Sequence, residues 1–341
     1  MISNIEYSIE NKSNQFNDDK ILFHINNNDD KLEISYVNSL RRVIEEHMQS
    51  FVILDINIIQ NHTVFNNDIL IQRLKMIPII YNETVNYNLD KLLVKLDITN
   101  NEEYPIVIKG KDFKFVYEEK EVENLISYPE IIFVQNILPG QSIQLIANLH
   151  KGESIEHAAY KHTSKNVYSF KLDDELINTK LIEQNITDEK DKVDFKLSNQ
   201  IYKKTSKGLP ETFIYEMESN GIMSVKETLK IALEFLILKI NSITELIKTD
   251  ILEPSKDNPL ISVITFKNET HTIGNLLSQY VSKHKLLNGC TYLIPHPLDN
   301  ILLVKLHFLE QKNNTTENCI LIIKETCDEL VKLYEEFLGH F

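Results

Sequence analysis

The stretch HTIGNLLSQYVSKH, residues 271–284, decides the fold, because an earlier stretch of the chain repeats its pattern. The earlier stretch, YVNSLRRVIEEHM, covers residues 36–48. Both carry apolar residues at helical spacing, which predicts helices over about 36–50 and 271–284, each with one buried side. When the first stretch is moved by 237 positions, Asn38 falls on Asn275, Leu40 on Leu277, Ile44 on Val281 and His47 on His284.

The surroundings of the two helices match as well. Residues 260–341 read as strand, helix, strand, strand and helix, with Gly339 as the last C-cap. The front of the chain follows the same order once residues 51–165 are set aside, and its long second helix begins at a capping box of Ser224 and Glu227. We therefore predict an α+β fold in which two related modules pack on each other within one chain. The first comprises residues 1–50 and 166–250, the second residues 260–341; a linker covers 251–259, and an inserted β-rich domain covers 51–165.

Each predicted module has a helical face that its own small core cannot cover. Two such faces can bury each other through the reciprocal contacts of an isologous interface. The residues expected in this inter-module packing are Leu40, Val43, Ile44, Leu276, Leu277, Tyr280, Val281, Leu330, Tyr334 and Phe337. Asn38 and Asn275 are expected to open their helices as caps or first-turn residues. The polar segment 171–210 is expected to be mostly exposed loop.

Composition restricts the class of protein. The chain has 341 residues, 42% hydrophobic and 25% charged, which is typical of a globular protein. Its net charge of −14 disfavours a role in coating DNA. Three cysteines without a CxxC motif argue against a disulfide framework and favour a reducing compartment. Neither a signal peptide nor an apolar run of membrane-spanning length is recognisable, so we expect a cytoplasmic protein without a membrane partner.

Six ordered segments resemble the α-like subunits of multisubunit DNA-dependent RNA polymerases. The first four are VNSLRRVIEE (37–46), VFNNDILIQRLKMIPII (64–80), GQSIQLIANLHKGESIEHAAY (140–160) and ETFIYEMESNGIMSVKETLKIALEFLILKI (211–240). The last two, FKNETHTIGNLLSQYV (266–281) and GCTYLIPHPL (289–298), resemble the small partner of that subunit. These are the third and eleventh subunits in eukaryotic RNA polymerase II, and subunits D and L in archaea. Here the two resemble one fused polypeptide, an arrangement familiar from large DNA viruses.

The resemblance implies an assembly scaffold that is not itself an enzyme. It implies docking on the second-largest and largest catalytic subunits, with a small subunit equivalent to the tenth as a further candidate partner. The residues it places at the subunit interface are Arg41, Arg42, Gln72, Arg73, Glu156 and His157. We expect no catalytic residue, cofactor, metal, sequence-specific nucleic-acid contact or homo-oligomer. The stretch corresponding to the zinc loop of many cellular relatives has no cysteine. With a viral source, the location would be the virion or the viral factory.

Two other hypotheses stay open at this point. The chain could be a stand-alone α+β module that binds a different basic partner through its acidic surface. It could also be a metal-dependent enzyme built on His150, His157 and His162, although their spacing puts no two of them at i and i+4 of a helix and no cysteine joins them. The run Asp173, Asp174 and Glu175 is expected to be a solvated acidic face.

Overall fold

The computed structural model describes residues 2–8, 20–27, 29–81, 88–199, 201–247, 252–254 and 258–341. The helices are α1 (Ile34–Glu46), α2 (Asn67–Lys75), α3 (Asp174–Glu183), α4 (Glu189–Asn199), α5 (Val225–Leu246), α6 (His271–Val281) and α7 (Thr316–Leu338). The first strands are β1 (Ile2–Ser8), β2 (Lys20–Asn26), β3 (Gln49–Asn61), β4 (Leu92–Thr99), β5 (Ile106–Lys109), β6 (Lys114–Tyr117), β7 (Lys120–Val122) and β8 (Ile132–Ile137). The others are β9 (Ser142–Glu153), β10 (Thr163–Phe170), β11 (Thr212–Ser219), β12 (Leu252–Pro254), β13 (Ile261–Lys267), β14 (Leu287–Leu293) and β15 (Ile301–Phe308). Among the described helices, none combines the length and apolar character that a membrane crossing requires.

Two four-stranded antiparallel sheets share one strand order. The first runs β1-β2-β11-β10 and the second β12-β13-β15-β14. Burial alternates along the central strands of both, so each sheet covers its core with one face. The helices follow at equivalent places, because α1 comes after β2 and α5 after β11, while α6 comes after β13 and α7 after β15. The fold is therefore α+β, with two arrangements of the same topology.

The two short helices are buried at equivalent positions. The buried residues of α1 are Ser35, Tyr36, Val37, Ser39, Leu40, Val43 and Ile44. Moved by 237 positions, they fall on Thr272, Ile273, Gly274, Leu276, Leu277, Tyr280 and Val281, all of which are buried in α6. The shift of 237 positions that aligns the two sequences therefore also aligns the buried positions of the two helices.

Residues 49–153 form a lobe with a core of its own. It contains the five-stranded sheet β3-β9-β4-β6-β7, the pair β5-β8 and helix α2. Its buried cluster is separate from the cluster that joins the two four-stranded sheets. Ile222 and Met223, between β11 and α5, complete the lobe's core. The domain boundaries drawn from the sequence stay a prediction. Within the predicted linker, Leu252–Pro254 pairs with β13 at a sheet edge, and residues 251 and 255–257 lie outside the described part of the chain.

The prediction that Asn38 and Asn275 open their helices was wrong. The N-caps are Glu33 and Thr270, so each Asn is the fifth helical residue. Neither N-cap side chain makes a capping bond. At α1, side chains of α6 replace it: the backbone N–H groups of Glu33 and Ser35 donate to the Tyr280 hydroxyl (3.2 Å) and to Gln279 Oε1 (3.2 Å). The helix begins earlier than expected because a neighbouring helix satisfies its free donors.

The prediction of mostly loop for residues 171–210 was also wrong, since α3 and α4 lie there. Asp173 caps α3 by accepting a hydrogen bond from the Leu176 N–H at 3.0 Å. Asp174 and Glu175 lie in the first turn, where the helix dipole favours negative charge. The acidic run is therefore a helix start, and only a narrow stripe of α3, Ile177 and Leu181, is buried.

At Gly221, the segment that follows β11 packs closely against the lobe. Its φ is +94°, and a Cβ there would lie 2.5 Å from Ser127 Oγ and 2.5 Å from a ring carbon of Tyr128. We predict that Gly221→Ala lowers the free energy of unfolding by about 2–4 kcal/mol, the sum of backbone strain and a clash, measured by urea titration. Gly208→Ala is the matched control, because Gly208 also has a positive φ but no atom within 4 Å of its Cβ position. Equal losses in the two variants would contradict the prediction.

Candidate dimerisation interface and docking surface

A single buried cluster joins the two four-stranded sheets through their four helices. In it, α1 packs on α6 and α5 on α7. The rings of Tyr36 and Tyr334 stack with centroids 4.4 Å apart, and the Tyr334 hydroxyl lies 2.6 Å from Ser39 Oγ. The Tyr36 hydroxyl donates to the carbonyl of Leu333 at 3.0 Å. Burial raises the pKa of both tyrosine hydroxyls well above the ordinary value, so both stay neutral hydrogen-bonding groups.

Polar contacts between α1 and α6 are reciprocal. Arg42 Nε donates to Thr272 Oγ1 at 2.7 Å, while the Ser35 N–H donates to Gln279 Oε1 at 3.2 Å. By the 237-residue offset, Ser35 corresponds to Thr272 and Arg42 to Gln279. Each helix therefore offers the same two positions to the other, which is the contact pattern of a local pseudo-twofold axis.

Two ion pairs lie beside this axis. Lys239 Nζ of α5 is 2.9 Å from Glu269 Oε1, just before α6. Lys283 Nζ, just after α6, is 2.8 Å from Glu33 Oε1 before α1. The Glu269 side chain is only 5% exposed and that of Lys239 is 33% exposed, so the first pair is largely withdrawn from water.

The ten residues predicted for inter-module packing all lie in the joining cluster. Leu40, Ile44, Leu276, Val281, Leu330, Tyr334 and Phe337 are fully buried, and Val43, Leu277 and Tyr280 are almost so. The structure brings them together with residues that the sequence analysis did not single out. Two of these residues, Thr272 and Gln279, could have been found because the 237-residue offset relates them to Ser35 and Arg42. Lys239 could have been found as the charge that interrupts the apolar run of α5. The contacts of Tyr36 and Ser39 with α7 carry no such signal.

The predicted docking residues fall into two groups. The first group, Arg41 and Arg42, lies on α1. The second group comprises Gln72 and Arg73 on α2 together with Glu156 and His157. Glu156 and His157 lie in the exposed turn after β9, and Gln72 and His157 line the same surface depression. At the end of β9, a Cβ on Gly152 would come within 2.6 Å of Glu156 Oε2 and of the Tyr160 ring, so a side chain there would clash with the turn.

All three predicted docking arginines already have partners within the chain. Arg41 Nε donates to Asn38 Oδ1 at 3.1 Å. Arg42 also pairs with Glu46 Oε1 at 2.5 Å. Arg73 donates to the carbonyls of Phe133 and Ile132 at 2.9 and 3.1 Å, which ties α2 to β8. Their docking role stays a prediction, and a substitution of Arg42 or Arg73 would also change an internal contact.

Apolar side chains are exposed around Gln72 and Arg73 on α2 and around Glu156 and His157 in the turn after β9. On α2 and its C-cap residue Met76, one helical face carries Ile69, Gln72, Arg73 and Met76. Ile69 is 46% exposed and Met76 51%, and Ile155 in the neighbouring turn is 59% exposed. We call the surface of Ile69, Gln72, Met76, Ile155 and His157 the α2 surface.

The histidines of the metal hypothesis have separate partners. His150 Nε2 lies 2.7 Å from Asp55 Oδ2, and His157 Nδ1 accepts from the Ala159 N–H at 3.0 Å. His162 is fully buried, and its Nε2 contacts the Gln49 carbonyl at 2.8 Å. Within the described residues, no group of three or more His, Cys, Asp or Glu side chains is arranged to hold a metal ion. The geometry thus gives the metal-dependent enzyme no support.

Comparison with known proteins relates one half of this helical interface to a dimerisation domain. The model of the RNA polymerase Rpb3/Rpb11 dimerisation domain matches residues 262–340, a region that contains α6, β14, β15 and α7. The chain is also similar to subunit RPAC2 of the DNA-directed RNA polymerases I and III of Drosophila melanogaster, with 31% identity over 83 residues. That match covers 22% of this chain and 73% of the relative. The matched region supplies one side of the helical interface.

Leu277, at the centre of that interface, should contribute strongly to stability. We predict that Leu277→Ala lowers the free energy of unfolding by about 2–5 kcal/mol, because it leaves a cavity among packed side chains. Leu238→Ala on the exposed side of α5 is the control and should change stability by less than about 0.5 kcal/mol. Urea titration of both variants measures the difference. Similar values for the two would show that Leu277 is not part of a packed core.

His162 should make stability depend on pH. Burial lowers its pKa to about 4 from an ordinary value of 6.5, and the hydrogen bond to the Gln49 carbonyl only partly opposes this. A lowered pKa in the folded state gives stability that is complete above pH 6.5 and is lost as the pH falls towards 4. We predict that the stability advantage of wild type over His162→Leu shrinks by about 3 kcal/mol between pH 7 and pH 4. The exposed His340→Leu is the control for the loss of an imidazole. An advantage that stays constant with pH would refute the prediction.

Proposed function

The chain belongs to the family of RNA polymerase subunits built on the Rpb3/Rpb11 dimerisation domain, and from that premise we propose that it is a fused α-like dimer on which a DNA-dependent RNA polymerase assembles. In this proposal β1, β2, β10, β11, α1 and α5 form a first module, and β12–β15, α6 and α7 form a second module. The lobe of residues 49–153 is an insertion between α1 and β10 of the first module.

The observation that carries the proposal is the shared strand order of the two sheets together with the reciprocal contacts of α1 and α6. A family whose domain dimerises needs a partner domain, and this chain supplies a second arrangement of the same topology. Because both lie on one polypeptide, pairing is intramolecular and does not depend on the concentration of a separate subunit. We further propose that the protein works in the cytoplasm, a reducing compartment, consistent with its free cysteines.

We propose that the α2 surface docks the largest subunits. Exposed apolar side chains rimmed by polar groups mark protein–protein contacts, and Met76 supplies an adaptable thioether. Its helical part, with Ile69, Gln72 and Met76, lies on the lobe, whose core is separate from the joining cluster, so that the helical pairing and the docking can occur together. The role of the chain is therefore to hold other subunits in place, with the chemistry of RNA synthesis performed by the subunits it holds.

A tagged pull-down from the native source, read by mass spectrometry, tests this function. We predict that wild type co-purifies with two very large polypeptides in equal amounts, and that Ile69→Glu/Met76→Glu loses both, since two charges would face an apolar contact. Val193→Glu/Leu197→Glu changes exposed apolar residues on α4 in the same way and should retain both partners. Recovery of wild type alone would overturn the proposed function, while retention by the α2 variant would overturn only the docking surface.

A further inference from the structure

The long helices α5 and α7 are buried at equivalent positions with one exception. The buried residues of α5 are Val225, Thr228, Leu229, Ala232, Leu233, Leu236, Ile240 and Ile243. Moved by 94 positions, they fall on Cys319, Ile322, Ile323, Thr326, Cys327, Leu330, Tyr334 and Phe337, all buried in α7. The remaining buried residue of α7 is Leu333, and its counterpart in α5 is Lys239.

The residue that pairs with Lys239 also has a counterpart, and that counterpart lies near Leu333. Lys239 pairs with Glu269, and Glu269 corresponds to Leu32 by the 237-residue offset of the short helices. Leu32 and Leu333 are buried in the joining cluster and line one small depression. The pseudo-twofold axis thus relates a largely buried ion pair on one side, Lys239 with Glu269, to two buried leucines that line one depression on the other, Leu32 and Leu333.

We propose that this asymmetric pair of contacts determines the specificity of module pairing, so that the first module accepts the second module and rejects a copy of itself. The inference rests on the proposed function, because it concerns how the fused dimer selects its two halves.

Like-with-like pairing would place a charge against a leucine on both sides of the axis. Two first modules would bring Lys239 against Leu32 twice, and two second modules would bring Glu269 against Leu333 twice. A carboxylate as buried as that of Glu269 is strongly destabilising without its cation. Only the pairing of unlike modules gives one complete ion pair on one side and an uncharged, apolar pair of positions on the other.

A second pair of positions acts in the same direction. Lys283 contacts Glu33, and by the same offset Lys283 corresponds to Glu46 and Glu33 to Thr270. Two first modules would therefore bring Glu33 against Glu46 on both sides, so that like charges repel. In the observed pairing Glu46 is instead held by Arg42 on its own helix. Electrostatic repulsion of the wrong partner is a general route to specificity.

Two full-length variants that share one substitution test the proposal by light scattering and urea titration. Glu269→Lys with Lys239→Glu reverses the ion pair between unlike modules, so we expect a stable monomer of 39.8 kDa. Glu269→Lys with Leu333→Glu places opposite charges where two second modules would meet, and opposes Lys239 to a lysine. We expect this variant to form a dimer of twice that mass. A monomer as stable as the first variant would overturn the proposal.

A double-mutant cycle on Leu32 and Leu333 tests the proposal if the dimerising variant does not fold. Leu32→Glu and Leu333→Lys should each lower the folding equilibrium constant at least about tenfold, because each buries one unpaired charge. The double variant should recover most of that loss, since the substituted pair reproduces Lys239 and Glu269 on the opposite side. Additive losses would show that the positions do not face each other and would overturn the proposal. These measurements use the purified chain alone, so their failure is distinguishable from a failure of the pull-down, which tests the polymerase function.

Discussion

The structure depends on the mutual burial of two helical faces that neither sheet can cover alone. Each four-stranded sheet covers one side of its own helices, and the other side would face water in isolation. Tyr36 and Tyr334 show the consequence, because two aromatic rings from distant parts of the chain stack in a site that excludes water. Burial of apolar area of this kind is the main favourable term in folding and in association. The region that matches a dimerisation domain, residues 262–340, supplies α6 and α7 to this contact.

Polar groups give this apolar interface its register. The reciprocal bonds of Arg42 with Thr272 and of Ser35 with Gln279 fix how far α1 slides along α6. Unpaired buried donors destabilise a fold, so a shift by one turn would be opposed at both places. In our proposal, the asymmetry between Lys239 with Glu269 and Leu333 with Leu32 adds a choice of partner to that choice of register. With pairing secured within the chain, the lobe and its α2 surface are free to present side chains outward.

The sequence was sufficient for the features that rest on periodic burial. The repeated helix, the succession of strands and helices along the chain and packing residues such as Leu277 followed from residue spacing, because a helix with one apolar side has few ways to be buried. The order of the strands within each sheet was not predicted. Helix ends were less predictable: Asn38 looked like a cap, yet α6 satisfies the N-terminal donors of α1 from across the interface. The helix α3 was missed because its buried stripe, Ile177 and Leu181, is too narrow to stand out among charged residues. Arg73 could not be assigned from sequence either, since its partners are backbone carbonyls of a strand about sixty residues away.

Residue-resolved hydrogen exchange under increasing urea tests the central claim most directly. If one shared core holds both modules, the most protected amides of α1 and α5 should exchange with the same free energy and the same urea dependence as those of α6 and α7, because all four helices open in one global event. Two distinct free energies, with one helix pair exchanging while the other stays protected, would contradict the account. The modules would then be independent folding units that merely touch.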